Sequence, residues 1–496
     1  MGNFLLGIDV GTTNTKSVLI TENGDLIAAS SCSYEISAPE VSMQEQDAEE
    51  LWNAVVTTVR DVAAQVRKEE IKAISLSVQG GTLIVTDEAF RPIAPAIVWS
   101  DTRAEKEAAD FAKAFGTPYL YETTGWQLEN SLVAMQILWL RRNRREIFDQ
   151  AAYFLSVPDF IAARLTGVPV LDPADAGINQ LYDIRKGAYD PAILSFLGIG
   201  EEKLGKVLPT GEAVGTLLKE TAEVLGLSEN TVFINGVHDQ YAVAVGAGCT
   251  GSGDVLIGTG TAWVVAAMSP EWDFAHGFSE SHSAVPGVKG SILSLSSGGV
   301  SLEWLRKNIL KTETVRSYDE LNRIAEESGP GAGGVFFYPY FTGAYGSNGN
   351  REIKAAFLGL DLSHRDGDLV RAVMEGVVYE IARMLEAIRS EFPIRSIRMT
   401  GGATKSPIWP QILADVTGIP VAVPGIADLA PVGAAIIAGV GSRAFSNYET
   451  GFQKLHYPTE LLLPDKARQQ KYREFYIRYR EGAAALRTIG ADREEE

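Results

Sequence analysis

The 496-residue sequence predicts an α/β protein of two halves with like architecture, facing each other across a cleft. Three observations carry this. The N-terminus reads strand, small polar turn, strand in "LLGIDVGTTNTKSVLI", residues 5–20. The pattern returns about 250 residues later in "DVLIGTGTAWVVAA", residues 254–267. Both place Gly and Thr between two β-rich runs, and a pattern recurring in the same order indicates duplication. Near the end, "IRMTGGATKSPIWPQILADVTGIPVAV" reads strand, Gly-Gly turn, helix, strand.

The elements follow in order. After the first turn, "TENGD" with Asn23-Gly24 is a hairpin signal, and "LIAASSCSYEI" continues the sheet. Consecutive antiparallel strands exclude a dinucleotide-binding unit, whose Gly-rich turn opens a helix. A helix is expected over 47–68, with Asp47 as cap and apolar residues from Leu51 to Ala63 at helical spacing. "KAISLSVQG" and "GTLIVTD" read as strands, helices dominate 101–165, and "TVFINGV" at 231–237 reads as a buried strand. "SHRD", Ser363 to Asp366, resembles a capping box before a helix through Ile388. Ser406 is placed to cap and Pro407 to start the next helix, and "ADLAPVGAAIIAGVGS" reads as a closely packed helix. The domains are expected at 1–248 and 249–480, with 481–496 a frayed tail.

Composition narrows the function. A formal charge of −19 argues against a nucleic-acid or anionic-membrane partner. Two cysteines, Cys32 and Cys249, suggest no disulfide framework and fit a reducing cytoplasm. Five scattered histidines lack zinc-ligand spacing. The start has no basic n-region, and no apolar run approaches the ~18 residues of a membrane span.

Gly11, Thr12, Thr13, Asn14 and Thr15 offer backbone N–H groups with little bulk, which suits an anion cradle. Lys16 adds a point charge, and Asp9 at the mouth of the turn suits Mg²⁺ beside a phosphate. A plain hairpin with a solvated Asp is the alternative. Gly258, Thr259, Gly260 and Thr261 form the partner turn, which also reads as an ordinary hairpin turn. Gly401-Gly402 suits a flat ligand such as adenine, or is simply a tight strand–helix turn. Asp239, after a buried strand, suits a general base, with Gln240 beside it to orient substrate; the alternative for Asp239 is a helix N-cap. Together these parts match ATP-dependent phosphoryl transfer to a hydroxyl.

The motifs "GIDVGTTNTKSV", "PAIVWSDTR", "HDQYAVAVGAG", "IGTGTAW", "GGVSLEW", "MTGGATKSPIWPQILADVTGIPV" and "LAPVGAA" resemble the FGGY carbohydrate kinases. The resemblance runs from about residue 4 to about 445. It implies two ribonuclease-H-like, actin-type ATPase domains with an interdomain active-site cleft, and ATP and Mg²⁺ as cofactors. It implies that Asp9 serves Mg²⁺. Thr12, Thr13, Asn14 and Lys16 then contact the nucleotide phosphates, as do Gly258, Thr259 and Gly260. Gly299 and Glu303 line the nucleotide pocket, Gly402 and Ser406 border the adenosine, and Asp239 is the base with Gln240 at its side.

The substrate side departs from the known subfamilies. In "SVQGGTL", after Gln79, Gly80 and Gly81 stand where glycerol kinases carry Arg-Glu and xylulokinases Met-His. Ser131 replaces a substrate-contacting tyrosine and Gln136 a lysine. The two glycines leave space for Trp126 or a bulkier substrate. "GSN" at Gly346–Asn348 replaces the acidic "GER" of the family. The expected substrate is a small sugar or polyol, with a ketopentose such as xylulose leading. A hexulose, deoxy-ketose, tetritol or glycerol, or a sensor without turnover, are the alternatives. A homodimer is the one assembly in view.

Overall fold

The computed structural model describes residues 2–311, 316–343, 353–426 and 428–491. The first sheet is built from β1 (Phe4–Val10), β2 (Asn14–Thr21), β3 (Leu26–Ser33), β4 (Ile71–Val78), β5 (Ala213–Thr216) and β6 (Val232–His238). Its order is β5-β6-β4-β1-β2-β3. The β1, β2 and β3 strands are antiparallel neighbours, whereas β4 runs parallel to β1 and β6 parallel to β4. α1 (Ala48–Ala63) covers one face, and the Asp47 carboxylate accepts from Glu49 N–H at its start. This helix is shorter than expected from the sequence; a separate 3₁₀ turn takes Lys68–Glu70.

α2 (Asp239–Gly246) leaves the end of β6. The second sheet then repeats the plan with β7 (Asp254–Thr259), β8 (Trp263–Ser269), β9 (Ser279–His282), β10 (Lys289–Leu295), β11 (Ser396–Gly401), β12 (Val421–Pro424) and β13 (Thr459–Leu462). The order is β9-β10-β8-β7-β11-β12-β13. Again three antiparallel strands, here β7, β8 and β10, lead to parallel β11 and β12. The two hairpins of the sequence therefore occupy equivalent places, with β1 and β7 at the centre of their sheets.

Between the halves lies an apolar cluster with Leu5, Val18, Ile234, Tyr241, Leu256, Val432 and Ile436. Its organiser is α3 (Leu429–Gly441), which crosses β1 and packs on α2. Small residues make this contact possible. A Cβ at Gly7 would sit 1.8 Å from the Pro431 carbonyl, and one at Gly433 would sit 1.9 Å from that of Ala242. A helix begins at Asp366 and runs to Glu391, but Ser363 does not cap it. Its hydroxyl bonds Asp361, and Asp368 accepts from the backbone N–H of Arg365 instead. The following helix spans Trp409–Thr417, two residues later than Pro407; Ser406 Oγ still accepts from Trp409 N–H at 3.2 Å.

The expected tail at 481–496 is helical as far as Ala491: a helix spans Lys466–Ala491, with Tyr472 and Tyr479 buried ahead of the tail and Ala483 buried within it. Alternating charge and aromatic residues hid this apolar stripe. Residues 492–496 and the "GSN" segment lie outside the described residues. Among the described residues no helix is long and apolar enough to cross a membrane.

Candidate active site

Each of the repeated turns borders a cavity. The first, about 630 Å³, is lined by Thr12, Gln79, Gly80, Trp126, Ser131, Asp239 and Gln240 of the expected site residues. The second, about 560 Å³, is lined by Thr259, Gly260, Gly299, Glu303, Gly402 and Ser406. Apart from Thr12, expected at the nucleotide phosphates but lining the first chamber, the expected sugar and nucleotide residues that line a cavity fall into separate chambers. Gly81 and Gly258 line neither. Asp9, Thr13, Asn14 and Lys16 also lie outside both linings, on the first turn beside Thr12.

The first turn is tied down from behind. Gly11 O accepts from Tyr34 O–H at 2.6 Å, Thr12 O from Gln46 Nε2 at 2.6 Å, and Thr13 O from Tyr34 N–H at 3.0 Å. Trp99 Nε1 donates to Thr12 Oγ1 at 3.0 Å. With its carbonyls bonded away, the turn presents little negative dipole to an anion. Lys16 pairs with Asp428, just ahead of α3 and 412 residues along the chain.

Asp9 Oδ1 accepts from Ser77 Oγ at 2.6 Å. Burial raises the Asp9 carboxyl to about 7; the charges of Asp239 and Asp428 add to this, and Ser77 and Lys16 oppose it. A carboxylate at a phosphate-type turn is donor chemistry suited to magnesium, which takes one or two carboxylates and leaves the rest to phosphates and water. The raised value has a measurable consequence. In the unfolded chain this carboxyl ionises near 3.8, so between about 4 and 7 the folded state holds the extra proton. The Asp9 contribution to stability is therefore full below 4 and is lost as pH rises through 7. Asp9→Asn is expected to raise the melting temperature of the metal-free protein at pH 8 but not at pH 4. Equal shifts at both would contradict it.

Asp239 opens α2, but it is not the cap: His238 holds the N-cap position. Asp239 Oδ1 is shielded from solvent and takes no hydrogen bond, although His238 Nε2 lies 3.3 Å away. A buried carboxylate oxygen without a donor is costly unless a ligand supplies one.

The two glycines do not leave the expected space. A Cβ on Gly80 would meet Ile178 Cδ1 at 2.9 Å, His238 Cδ2 at 3.0 Å and Asp175 Oδ1 at 3.1 Å. Gly81 has φ +77°, and its Cβ would lie 2.7 Å from Leu132 Cδ2. The room has been filled from other segments, chiefly by Ile178 and His238. Gln136 is buried and donates to the Ser131 and Gly81 carbonyls, so it braces the wall from behind.

In the second chamber, Thr259 Oγ1 donates to Thr400 O at 2.5 Å and accepts from Ala403 N–H at 3.1 Å. It fastens the Gly401-Gly402 turn to β7. Thr259→Val leaves both partners unpaired, and nucleotide affinity should fall about tenfold with sugar affinity little changed. Titration calorimetry with ADP checks this. Glu303 is held by Arg306, Lys307 and Tyr318, which keep its carboxyl well below the usual range. The Ser406 hydroxyl is spent on Asn322 and the helix start, so it borders the chamber by shape.

Sequence reasoning missed Tyr318, Asn322, Trp263 and Trp409 of the second chamber, and His276, Glu129 and Arg383 of the first. Trp263 and Trp409 stand inside the quoted motifs but read there as apolar residues, and the others sit in no turn or motif that announces chemistry.

The FGGY family of carbohydrate kinases matches this chain twice, its N-terminal domain over residues 4–246 and its C-terminal domain over 253–442. The L-xylulose/3-keto-L-gulonate kinase of Escherichia coli (strain K12) is 29% identical over 510 residues, covering 99% of each chain. The gluconokinase of Bacillus subtilis (strain 168) is 28% identical over 453 residues, 88% of this chain and 87% of that one. The crystal structure of xylulose kinase from Rhodospirillum rubrum superposes with a TM-score of 0.91 at 25% identity, covering 99% of this chain and 100% of the other. With two like domains of actin-type ATPase fold and family matches over most of its length, the chain belongs to the FGGY family of carbohydrate kinases, ATP-dependent phosphotransferases.

Proposed function

We propose that the protein transfers the γ-phosphoryl group of ATP to a hydroxyl of a small open-chain sugar, a ketopentose such as xylulose being the first reading. One observation carries this: the shielded, unbonded Oδ1 of Asp239 in the chamber that Thr12 of the phosphate turn also lines. In this reading Asp239 takes the proton of the sugar hydroxyl as that oxygen attacks the γ-phosphorus. The bond to the β-phosphate bridging oxygen breaks, and ADP leaves. Gln240 orients the sugar. Thr12, Thr13, Asn14, Gly258, Thr259 and Gly260 cradle phosphates from the two turns, and Lys16 leaves Asp428 to join them. Gly299, Glu303, Gly402 and Ser406 enclose the nucleoside. Asp9 would hold Mg²⁺, which offsets phosphate charge when bound.

A sugar acid is the second reading. It is supported by relatives named gluconokinase and by Arg383 on the wall of the sugar chamber. The test is coupled ADP release against ketopentoses, ketohexoses, tetritols, pentitols, glycerol, gluconate and keto-gulonate. Turnover with a ketopentose at least tenfold above the rest supports the first reading, and preference for the acids supports the second. ADP release with none of them overturns both.

A further inference from the structure

Part of the wall of the sugar chamber is supplied by the second half of the chain, through His276, Gly277, Phe278 and Ser279, in a segment that runs from Asp273 to Glu280. This segment leans on the first half. Glu280 N–H donates to Gly125 O at 2.7 Å, and Tyr121 O–H donates to Phe278 O at 2.7 Å. A Cβ on Gly125 would lie 2.1 Å from Glu280 O, so the approach is close and falls beside Trp126 of the sugar wall.

His276 stands on this segment and lines the chamber. Its Nδ1 lies 2.9 and 2.8 Å from the two oxygens of Asp273. Asp273 is itself buried and fixed, since it accepts from Ala275 N–H, and its own N–H donates to Glu280 Oε2. The imidazole also stacks on Phe278, with centroids 5.6 Å apart and planes at 23°. A carboxylate can only accept, so Nδ1 carries the proton. With Nδ1 as the donor, the neutral form of the ring presents a lone pair at Nε2. Among the described residues Nε2 has no hydrogen bond. A ring locked at one edge by a buried acid, with its other edge left for a chamber, is a preorganised acceptor.

We propose that His276 is a specificity-determining residue that accepts a hydrogen bond at Nε2 from a sugar hydroxyl remote from the one phosphorylated, with Asp273 as its positioning residue. The inference rests on the sugar-kinase reading above and goes beyond it by assigning this contact to the second half of the chain. A site that reads a hydroxyl in this way discriminates against analogues lacking it.

The test compares the wild-type protein with His276→Asn and His276→Gln in steady-state kinetics. Each is run on the best sugar of the panel and on its series of deoxy analogues. Asn can keep the bond to Asp273 but does not reach the chamber, and Gln can place an amide oxygen near the Nε2 position. His276→Asn is expected to raise the sugar KM about tenfold with kcat within a factor of three and the ATP KM unchanged. His276→Gln should recover part of that loss. With one deoxy analogue, the wild type and His276→Asn should have equal KM values. A wild-type sugar KM in His276→Asn overturns the proposal. So does a KM raised by the same factor for every analogue, which would mark a merely structural role. Calorimetric sugar binding by the same proteins separates the two readings. Wild-type binding without turnover defeats the kinase reading, and affinities then decide on His276 by the same comparisons. A wild type that binds no sugar overturns both.

Discussion

Asp239→Asn is expected to lower sugar phosphorylation by about two to four orders of magnitude, the usual contribution of a positioned general base. The substitution keeps the shape of the side chain and removes its ability to take a proton. Three parts of the result discriminate between explanations. ADP affinity should be unchanged, because the nucleotide chamber draws its lining from residues 259–409 and not from α2. The melting temperature should not fall, because Asp239 caps no helix and Asn relieves a carboxylate oxygen that has no donor. The sugar KM should move little compared with kcat, since the hydroxyl can still bond the amide. Turnover within tenfold of wild type would remove Asp239 from the role of base.

Gly433→Val should have the largest effect on stability, at about 3 kcal/mol or more, through overpacking at a contact that cannot relax. The added Cβ would fall 1.9 Å from the Ala242 carbonyl oxygen and 3.1 Å from Gly246 N. Both are backbone atoms of α2, so neither can rotate away. Moving α2 from α3 would also shift Asp239, the first residue of α2. Activity and stability should therefore fall together. Gly215→Ala is the control, because a Cβ there meets nothing within 4 Å. Chemical denaturation should show a reduced midpoint for Gly433→Val and a midpoint near wild type for Gly215→Ala. Equal midpoints would mean that α3 is less tightly seated than the distances require.

Local signals in the sequence identify the parts of the fold that local physics decides. Asn23-Gly24 marks a real hairpin, and the Gly/Thr turns do occupy equivalent places in two sheets. Alternation along the strands and small residues at the turns suffice for that. The cap of the Asp366–Glu391 helix was misread because Ser363 found a nearer partner in Asp361, a choice that propensity does not rank. The space at Gly80 was misjudged for a different reason. Its occupants, Ile178 and His238, come from segments about 100 and 160 residues away, and no pattern near "SVQGGTL" points to them. The Lys16–Asp428 pair and the His276 edge of the sugar chamber were equally out of reach, since both depend on how the halves meet.

The helix from Lys466 to Ala491 bears on how the protein should be handled. Tyr479 O–H and Tyr340 O–H both donate to Glu380 Oε1, at 2.9 and 2.8 Å, while Glu380 Oε2 accepts from Arg383 at 2.9 Å. Arg383 in turn lines the sugar chamber. If that chamber holds the sugar, as proposed above, the last helix braces one of its walls through Tyr479, Glu380 and Arg383. Fusion partners joined after residue 491 should leave the preference among sugars as it is, whereas trimming the chain ahead of Tyr479 should blur that preference before it abolishes ATP binding.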